Sequence, residues 1–369
     1  MKYRVPFYKP TIFDNLNSIN SSNFYDNINL SIINLEDKFK NITGIDFVLS
    51  VNNPSSAIHL AMCALDLKRG DKVICSVNSY VDIPEAIRHF DSEPIFTDIE
   101  PKSYTISINS LKEAIRSNKS KKLKAIIVSH FSGLKVDLSK FKEIAKENQL
   151  ILIEDFTSAS ISEKSVEIQG DIAIFSLNYK LDNTLKGAML TFRDENIYNR
   201  AKLVREHGLI DTKKDVSYIY DIIDIGCDYR LDALSAYFLN WLLEKREDLI
   251  QKRVEIANIY FKELEGVNHI SLPIKDKEHQ YSYYIIEIDK NRDAFARELK
   301  KRGIEVGLHY IPLNFTTYYK NKYGLKIFSF PNALEAYQKV MSIPCNSKMS
   351  KDDALYVVDA IKEVAKSHI

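Results

Sequence analysis

The segment AIIVSHFSGLKVDLSKFKEIAKENQLILIED, residues 125–155, contains the pattern that decides the fold. A short apolar run over residues 125–129 is followed by a helical pattern over 138–147 and by a second apolar run over 150–154. Neither run alternates apolar with polar residues, which is typical of strands that are covered on both faces. A strand, a helix and a strand in this order predict two parallel strands joined by a crossover helix.

Similar units lie on both sides of this segment. Further buried strands are predicted over residues 72–75, 94–98, 171–176 and 188–192, with helices over 56–68 and 82–90. The sequence therefore predicts an α/β fold in which a mostly parallel sheet is flanked by helices. Ligands bind beyond the carboxyl ends of the strands in such sheets, so the residues that follow each strand are candidates for a functional site.

The pattern changes after Arg230. Helical sequence marked by Leu231, Leu234, Phe238, Trp241 and Leu242 continues over residues 249–264, and is followed by a strand over 283–288, a helix over 293–302, a short strand over 304–308 and two terminal helices. This order predicts a smaller α+β domain packed on the large one. With the joint placed near Lys245, the large cofactor-binding α/β domain is residues 1–245 and the small C-terminal domain is residues 246–369.

Composition excludes several classes of function. Lys and Arg total 51 against 50 Asp and Glu, a net charge of +1, which gives no electrostatic footprint for nucleic acid or an anionic membrane. The apolar runs are too short to span a bilayer, and the N-terminal residues lack the apolar core of a signal peptide. The four cysteines are widely spaced, without a CxxC pair, so neither a disulfide framework nor a metal site is expected and a cytoplasmic location is the default.

The sequence VNNPSSAIH, residues 51–59, predicts the end of a strand, a turn and the start of a helix. Pro54 suits the first turn of a helix, and Ser55 and Ser56 are able to cap its free backbone N–H groups. The same N–H groups, the two hydroxyls and the helix dipole would also hold a phosphate. From these residues alone a plain capped helix is favoured, and His59 is predicted to pack rather than to react.

Other strand ends carry acids, an aromatic ring and an amine. Glu154 and Asp155 end an apolar strand, where a carboxylate needs a cation, either in a structural salt bridge or in a ligand such as a protonated pyridine. Tyr80 would stack on a flat ring or pack in the core. Lys180 would be a solvated lysine or, if buried, an amine able to bond an aldehyde. Together with a phosphate-binding turn, these groups fit pyridoxal phosphate.

These segments and their order resemble the sugar aminotransferases of the DegT/DnrJ/EryC1/StrS family, which are pyridoxal-phosphate enzymes of the aspartate-aminotransferase fold type. The resemblance runs nearly end to end and implies a fold-type-I enzyme, a homodimer with shared active sites. Its segments are, in order, VPFYKP (5–10), NPSSAIHL (53–60), PIFTDI (94–99), HFSG (130–133), IED (153–155), DYRL (228–231), RGIEVGLHYIPL (302–313), FPNA (330–333) and MSIPC (341–345).

The resemblance implies roles for residues at matching positions. Asp155 would pair with the pyridine nitrogen, Tyr80 would stack on the ring, and Lys180 would bond the cofactor and move protons. The remaining roles fall into three groups: Ser55, Ser56 and Ser176 around the phosphate, Tyr229 and Arg230 in a segment that crosses the dimer interface, and Tyr8, His309 and Tyr310 near the sugar-nucleotide site.

Departures from the family pattern cluster at the cofactor. One deletion before Lys180 is needed to keep it in register, and Lys186 is the other nearby amine. Ser158 stands where the family has Gln or His beside the cofactor. Asp228 stands where the family commonly has an Asn that binds the neighbouring subunit's phosphate, and a carboxylate there is repulsive unless it is protonated or screened. Pro54-Ser55 replaces Gly-Thr at the phosphate turn, and Lys186 and Ala188 alter a Gly-Glu-Gly-Gly run.

The resemblance implies transfer of an amino group from glutamate to the keto group of a nucleotide-linked deoxysugar, in the synthesis of a surface polysaccharide or another glycan. Two alternatives stay open. One is a sugar dehydratase, in which the cofactor-bonding lysine is replaced, and the other is a non-catalytic scaffold that has lost the cofactor. A simple nucleotide-binding Rossmann protein is not supported, because the 11 glycines of the chain form no GxGxxG run.

Overall fold

The computed structural model describes residues 3–7, 24–162, 167–177, 185–212 and 219–366. The helices are α1 Phe24–Thr43, α2 Pro54–Ala64, α3 Asp82–Arg88, α4 Ile108–Asn118, α5 Ser139–Glu147, α6 Glu195–Arg205, α7 Ala233–Leu264, α8 Arg292–Lys301, α9 Thr317–Tyr323, α10 Pro331–Lys339 and α11 Lys351–Lys366. The strands are β1 Phe47–Val51, β2 Lys72–Ser76, β3 Glu93–Thr97, β4 Leu123–Ser129, β5 Ile151–Phe156, β6 Ile172–Ser176, β7 Ala188–Phe192, β8 Leu209–Asp211, β9 Tyr220–Ile222, β10 Ile270–Ser271, β11 Tyr284–Ile288 and β12 Val340–Ile343.

A seven-stranded sheet in the order β1-β7-β6-β5-β4-β2-β3 forms the centre of the molecule. The pairs from β3 to β6 are parallel, as predicted, whereas β7 runs antiparallel to both β6 and β1. The α/β fold with a mostly parallel sheet is therefore confirmed. In this register Val51 is opposite Ala188, and Ala188 is opposite Ser176. The carboxyl ends of β1, β2, β4, β5 and β6 consequently meet along one edge of the sheet.

Both faces of the sheet are covered by helices, which explains the apolar strands. One face packs against α2, α3 and α6, whose buried side chains share a core with Val73, Ile127 and Ile174. On the other face, residues of β2, β4 and β5 pack with α4 and α5, while residues of β6 and β7 pack with α1 and the first half of α7. Because neither face reaches water, the strands lack the alternation of a half-exposed sheet.

The C-terminal part is built on a three-stranded antiparallel sheet, β10-β11-β12. The sequence analysis missed β12. The strand predicted over residues 304–308 is wrong: only isolated bridges form there, from Ile304 to Val5 and from Gly307 to Ser342. The two helical stretches predicted after Arg230 are one continuous helix, α7, which contributes to the core of the large sheet and then to the core of the C-terminal sheet. The boundary near residue 245 lies inside this helix and stays a proposal.

The two parts of the molecule are joined by contacts at the end of β4. The Ser132 hydroxyl donates to the Tyr283 carbonyl at 2.6 Å, and the Ser132 carbonyl accepts from the Ser282 N–H at 2.8 Å. Ser132 and Gly133 both have positive φ. A Cβ on Gly133 would lie 2.9 Å from the Ser282 hydroxyl, so a glycine is required for this close approach.

Residues 3–7 lie on the C-terminal part. Val5 belongs to the core of the C-terminal sheet, and the Phe7 N–H donates to the Glu305 carboxylate at 2.8 Å. The Asn346 amide donates to the Phe7 carbonyl at 3.0 Å. Among the residues that the structure describes, no helix combines the length and the apolar character needed to cross a bilayer.

Candidate active site

A cleft opens at the edge where the parallel strands end. Its walls come from residues at the ends of β2, β4 and β5 and from the start of α3. The segment that follows Gly307, which forms a bridge to β12, contributes the remaining wall. No Lys, Arg or His is among its described lining residues, which are Ser76, Asn78, Ser79, Tyr80, Asp82, Ile83, Tyr104, Thr105, Ile106, Ser129, Phe131, Asp155, Thr157, Ser158 and Tyr310.

The pleat of β5 separates the two acids at its end. Asp155 lies in the cleft and is 2% exposed. Its Oδ2 accepts from the Ser129 hydroxyl at 2.6 Å, and its Oδ1 accepts from the Thr157 N–H at 2.8 Å. No Lys, Arg or His of the described residues forms an ion pair with Asp155. A buried carboxylate held by two neutral donors is suited to a cationic ligand, which would supply the missing countercharge.

Glu154 faces the other way and is paired inside the protein. The Nδ1 of His130 accepts from the Val136 N–H at 3.0 Å, so its Nε2 carries the proton and donates to Glu154 Oε1 at 2.9 Å. The other oxygen of Glu154 accepts from the N–H groups of Gln169 and Gly170, each at 2.8 Å. The sequence left open whether these acids form a structural ion pair or bind a ligand. Glu154 has the structural role, and Asp155 faces the cleft.

Two tyrosines form an aromatic wall of the cleft. Tyr80 is 56% exposed, so it is not the core residue that its local sequence also allowed. Its ring centroid lies 5.6 Å from that of Tyr310. The Tyr310 hydroxyl is hydrogen-bonded to the Tyr283 hydroxyl at 3.1 Å, and Ser158 also lines the cleft. Burial raises the pKa of Tyr310 to about 12, so it is a neutral hydrogen-bonding group.

The start of α2 lies beside the cleft, because Ser55 contacts the lining residue Asp82. Asn53 caps the helix, since its side-chain oxygen accepts from the Ser56 N–H at 2.9 Å. The sequence analysis had assigned this capping to Ser55 and Ser56. The Ser55 hydroxyl instead donates to Asp82 Oδ2 at 3.3 Å. Ser176 ends β6 at the same edge and is buried.

Asp82 is an acid of the cleft that the sequence analysis did not single out. It is the first residue of α3 and follows Tyr80 by two positions. Its pKa is raised to about 7, mainly by burial and then by the charge of Asp155. Ser129, Thr157 and Asn78 were missed as well. The signal that could have found Ser129 is its place at the last position of a predicted parallel strand.

Lys180 and Tyr8 lie outside the described residues. Leu177, the last described residue before Lys180, donates its N–H to the Gly187 carbonyl at 3.0 Å, at the edge of the sheet that carries the cleft. Lys186 is exposed and is not one of the described lining residues. Lys180 stays our prediction for the amine.

Asp228 and His309 lie away from the cleft lining. Asp228 is exposed and forms a two-point ion pair with Arg230, with distances of 2.9 and 3.1 Å, which lowers the pKa of the Asp228 carboxyl. The guanidinium therefore offsets the negative charge that would repel a phosphate. His309 stacks on Tyr283 at 3.5 Å between ring centroids, and its Nδ1 hydrogen-bonds to Ser342 at 2.7 Å. His309 thus lies behind Tyr310, and its contact with a substrate stays a prediction.

Comparison with known proteins identifies the family. The model of the DegT/DnrJ/EryC1/StrS aminotransferase family matches residues 8–362. The chain belongs to this family. It is 31% identical to the uncharacterized protein MJ1066 of Methanocaldococcus jannaschii, over 91% of this chain and 90% of that protein. It is 27% identical to the GDP-perosamine synthase of Escherichia coli O157:H7, over 98% of this chain and 99% of that protein.

The fold agrees with solved structures of sugar aminotransferases. The putative sugar aminotransferase Spr1654 from Streptococcus pneumoniae, in its PMP form, superposes with a TM-score of 0.85 at 21% identity, covering 99% of this chain and all of that chain. This chain is thus a member of the DegT/DnrJ/EryC1/StrS aminotransferase family with the fold of the type-I pyridoxal-phosphate enzymes, and its cofactor is pyridoxal 5'-phosphate.

The described lining residues suit this cofactor. Asp155 is buried and forms no ion pair with a described cation, as expected of a partner for a protonated pyridine nitrogen. The exposed ring of Tyr80 offers a face for stacking, and the start of α2 offers the Ser55 hydroxyl to an anion. Within the described part of the chain, no group of three or more His, Cys, Asp or Glu residues could hold a metal ion.

Proposed function

We propose that this sugar aminotransferase transfers the amino group of glutamate to the keto group of a nucleotide-linked deoxysugar, for a surface polysaccharide or another glycan. The buried Asp155 in the cleft carries this proposal, because no cation among the described residues pairs with it and a protonated pyridine ring would supply the countercharge. The nucleotide is supported by the end-to-end similarity to a GDP-perosamine synthase.

The residues at this site would then have separate tasks. Asp155 would pair with the protonated pyridine nitrogen, and Tyr80 would stack on the ring. Bound pyridoxal phosphate would supply an electron sink for the carbon that loses its proton. Lys180 would hold the cofactor and would move the proton of the donor as a general base. Ser55, Ser56 and Ser176 would hold the phosphate.

The residues proposed to bind the substrate lie on the other wall of the cleft. Ser158 and Tyr310 both line the cleft, where they would orient the sugar. Tyr8 and His309 are proposed to complete this side. Because Tyr310 stays neutral at physiological pH, it would orient the sugar by hydrogen bonding and not by charge.

We further propose that the enzyme is a cytoplasmic homodimer with shared active sites. The support is an apolar arm, defined here as β8, β9 and residues 223–225, which projects Ile222, Ile223 and Ile225 into solvent; Ile225 is 90% exposed. Asp228 and Arg230 follow the arm directly. An exposed apolar arm indicates a surface that a partner covers. The four cysteines are free thiols, in keeping with a reducing compartment.

The test is a spectrum followed by a substrate screen. We expect the wild-type protein with pyridoxal phosphate to show an imine absorption band that borohydride reduction fixes on Lys180. Lys180→Ala should lose the band, and Lys186→Ala should keep it. The screen would combine labelled glutamate with nucleotide-linked keto-deoxysugars that differ in base and in keto position.

Transfer of the label to a sugar would establish the reaction, and the best substrate would identify the nucleotide. A band that survives in Lys180→Ala but is lost in Lys186→Ala would move the catalytic lysine to Lys186. A protein that binds no cofactor under any condition would contradict the proposal and leave the non-catalytic scaffold.

A further inference from the structure

Asp82 is an acid that none of the roles above uses. It lines the cleft together with Asp155, and no cation of the described lining balances the two carboxyl groups. The other titratable groups that face it are Glu85 on its own helix and Tyr310 on the opposite wall, while Tyr80 and Tyr104 line the same cleft. Two carboxylates and a bound phosphate in one cleft repel one another, so one of the acids is driven to its neutral form.

The hydrogen bond between Ser55 and Asp82 links this acid to the phosphate. The Ser55 hydroxyl has one proton, and in the structure it is directed to Asp82 at 3.3 Å. A phosphate at the start of α2 needs the same proton. An ionised Asp82 competes for it and repels the phosphate, whereas a protonated Asp82 releases the hydroxyl and adds a donor of its own.

We propose that Asp82 enters the cofactor complex as a neutral carboxylic acid and thereby makes binding of the cofactor phosphate depend on pH. The inference rests on the proposed position of the phosphate beside Ser55. The pKa of Asp82, already raised to about 7 by burial and by Asp155, rises further when a phosphate dianion binds. The affinity for the cofactor is therefore highest below about pH 7 and falls as Asp82 ionises in the free protein. It becomes constant again above the pKa that Asp82 has in the complex.

The experiment measures dissociation constants by calorimetry on the full-length chain, between about pH 6 and pH 9. The first probe is pyridoxamine 5'-phosphate, which forms no bond with a lysine, and the second is pyridoxamine, which lacks the phosphate. The variants are Asp82→Asn and Asp82→Ser, with Glu85→Gln as the matched control, since Glu85 lies in the same helical turn but outside the cleft lining. The protonation of the probe itself cancels in the comparison of variants.

We expect the affinity of the wild type for pyridoxamine 5'-phosphate to fall about tenfold more over this range than that of either Asp82 variant, which corresponds to one unit of pKa change. Glu85→Gln should follow the wild type, and pyridoxamine should show no difference among the four proteins. If Asp82→Asn fails to fold, Asp82→Ser gives the same comparison with the wild type, because either substitution removes the ionisable group.

Three results would overturn the inference. Equal pH slopes for the wild type and the Asp82 variants would show that Asp82 does not act on the cofactor, with the proposed function intact. The same slope difference with both probes would mean that Asp82 acts on the ring through Asp155. Failure of every protein to bind pyridoxamine 5'-phosphate at any pH would remove the proposed function as well.

Discussion

Asp155 and Glu154 are adjacent residues with different surroundings, which allows a matched test at the residue scale. Asp155→Asn removes the negative charge proposed to pair with the pyridine nitrogen, so we expect about 100-fold weaker binding of pyridoxal phosphate with little change in folding, as for a buried charge that loses its partner. Glu154→Gln removes the charge that accepts from His130 and two N–H groups. We expect it to lower the free energy of unfolding by about 1–3 kcal/mol and to leave cofactor affinity nearly unchanged.

Fluorescence titration and urea unfolding of the two variants measure these effects. Ser129→Ala serves as the control for Asp155, because it keeps the carboxylate and removes one donor, which should cost about tenfold in affinity or less. Equal loss of affinity in Asp155→Asn and Glu154→Gln would contradict the separate roles that the pleat of β5 assigns.

The sequence predicted some of these residues and could not predict others. Asp155 and Tyr80 were predicted because each follows a strand, and strand ends meet at one edge of a parallel sheet. Which of Glu154 and Asp155 is structural was left open, because local sequence does not show on which face of the sheet His130 lies. Asp82 and Ser129 were missed because their importance comes from neighbours, Ser55 and Asp155, that are distant in the chain.

At the scale of elements, the loop before β11 holds a buried histidine. His279 stacks on Tyr281 with 4.0 Å between ring centroids, and its Nδ1 accepts from the Tyr281 N–H at 3.0 Å. Burial lowers the pKa of His279 to about 3, the nearby Asp276 opposing the effect. The folded protein therefore holds a neutral imidazole here, whereas the unfolded chain takes up a proton below about pH 6.5.

This difference makes stability depend on pH. Between about pH 6.5 and pH 3 the unfolded state binds more protons, so the free energy of unfolding falls as the pH falls, by about 2 kcal/mol at pH 5. We expect His279→Phe to lack this part of the acid sensitivity. Urea unfolding of both proteins at pH 7.5 and pH 5 measures it, and an equal decline in the two would show that His279 is not the cause.

Elements differ in how well the sequence revealed them. The strands of the large sheet were predicted to within a few residues, because burial on both faces leaves an unbroken apolar run. The strand predicted over residues 304–308 does not form, because the segment has no neighbouring strand to pair with along its length. Its residues have the right composition, but each partner, Val5 and Ser342, supplies a single bridge and no ladder. Pairing partners distant in sequence decide whether such a run becomes a strand.

At the scale of the whole molecule, the apolar arm predicts that two chains form a dimer. We expect the wild type to sediment with the mass of two chains, and Ile222→Asp combined with Ile225→Asp to sediment as a single chain, because charges on the arm cannot be buried unpaired. Phe328→Asp is the matched control, since Phe328 is 83% exposed but lies far along the chain from the arm.

Sedimentation velocity checks this prediction, and cofactor content gives a second measurement. If the partner's Asp228 segment completes the phosphate site, the monomeric variant should also retain less pyridoxal phosphate after dialysis. A dimer that survives both arm substitutions would place the interface elsewhere on the surface.

The position of residues 3–7 has a consequence for how the chain is made. Val5 is buried against Ile304, yet it leaves the ribosome long before Ile304 is synthesised. The large sheet has all its strands by Phe192 and is free to form early, as domains do during synthesis. The core of the C-terminal sheet closes only when Val5 returns to it. Val5 is therefore translated before the large sheet but is buried only after the C-terminal part has been made.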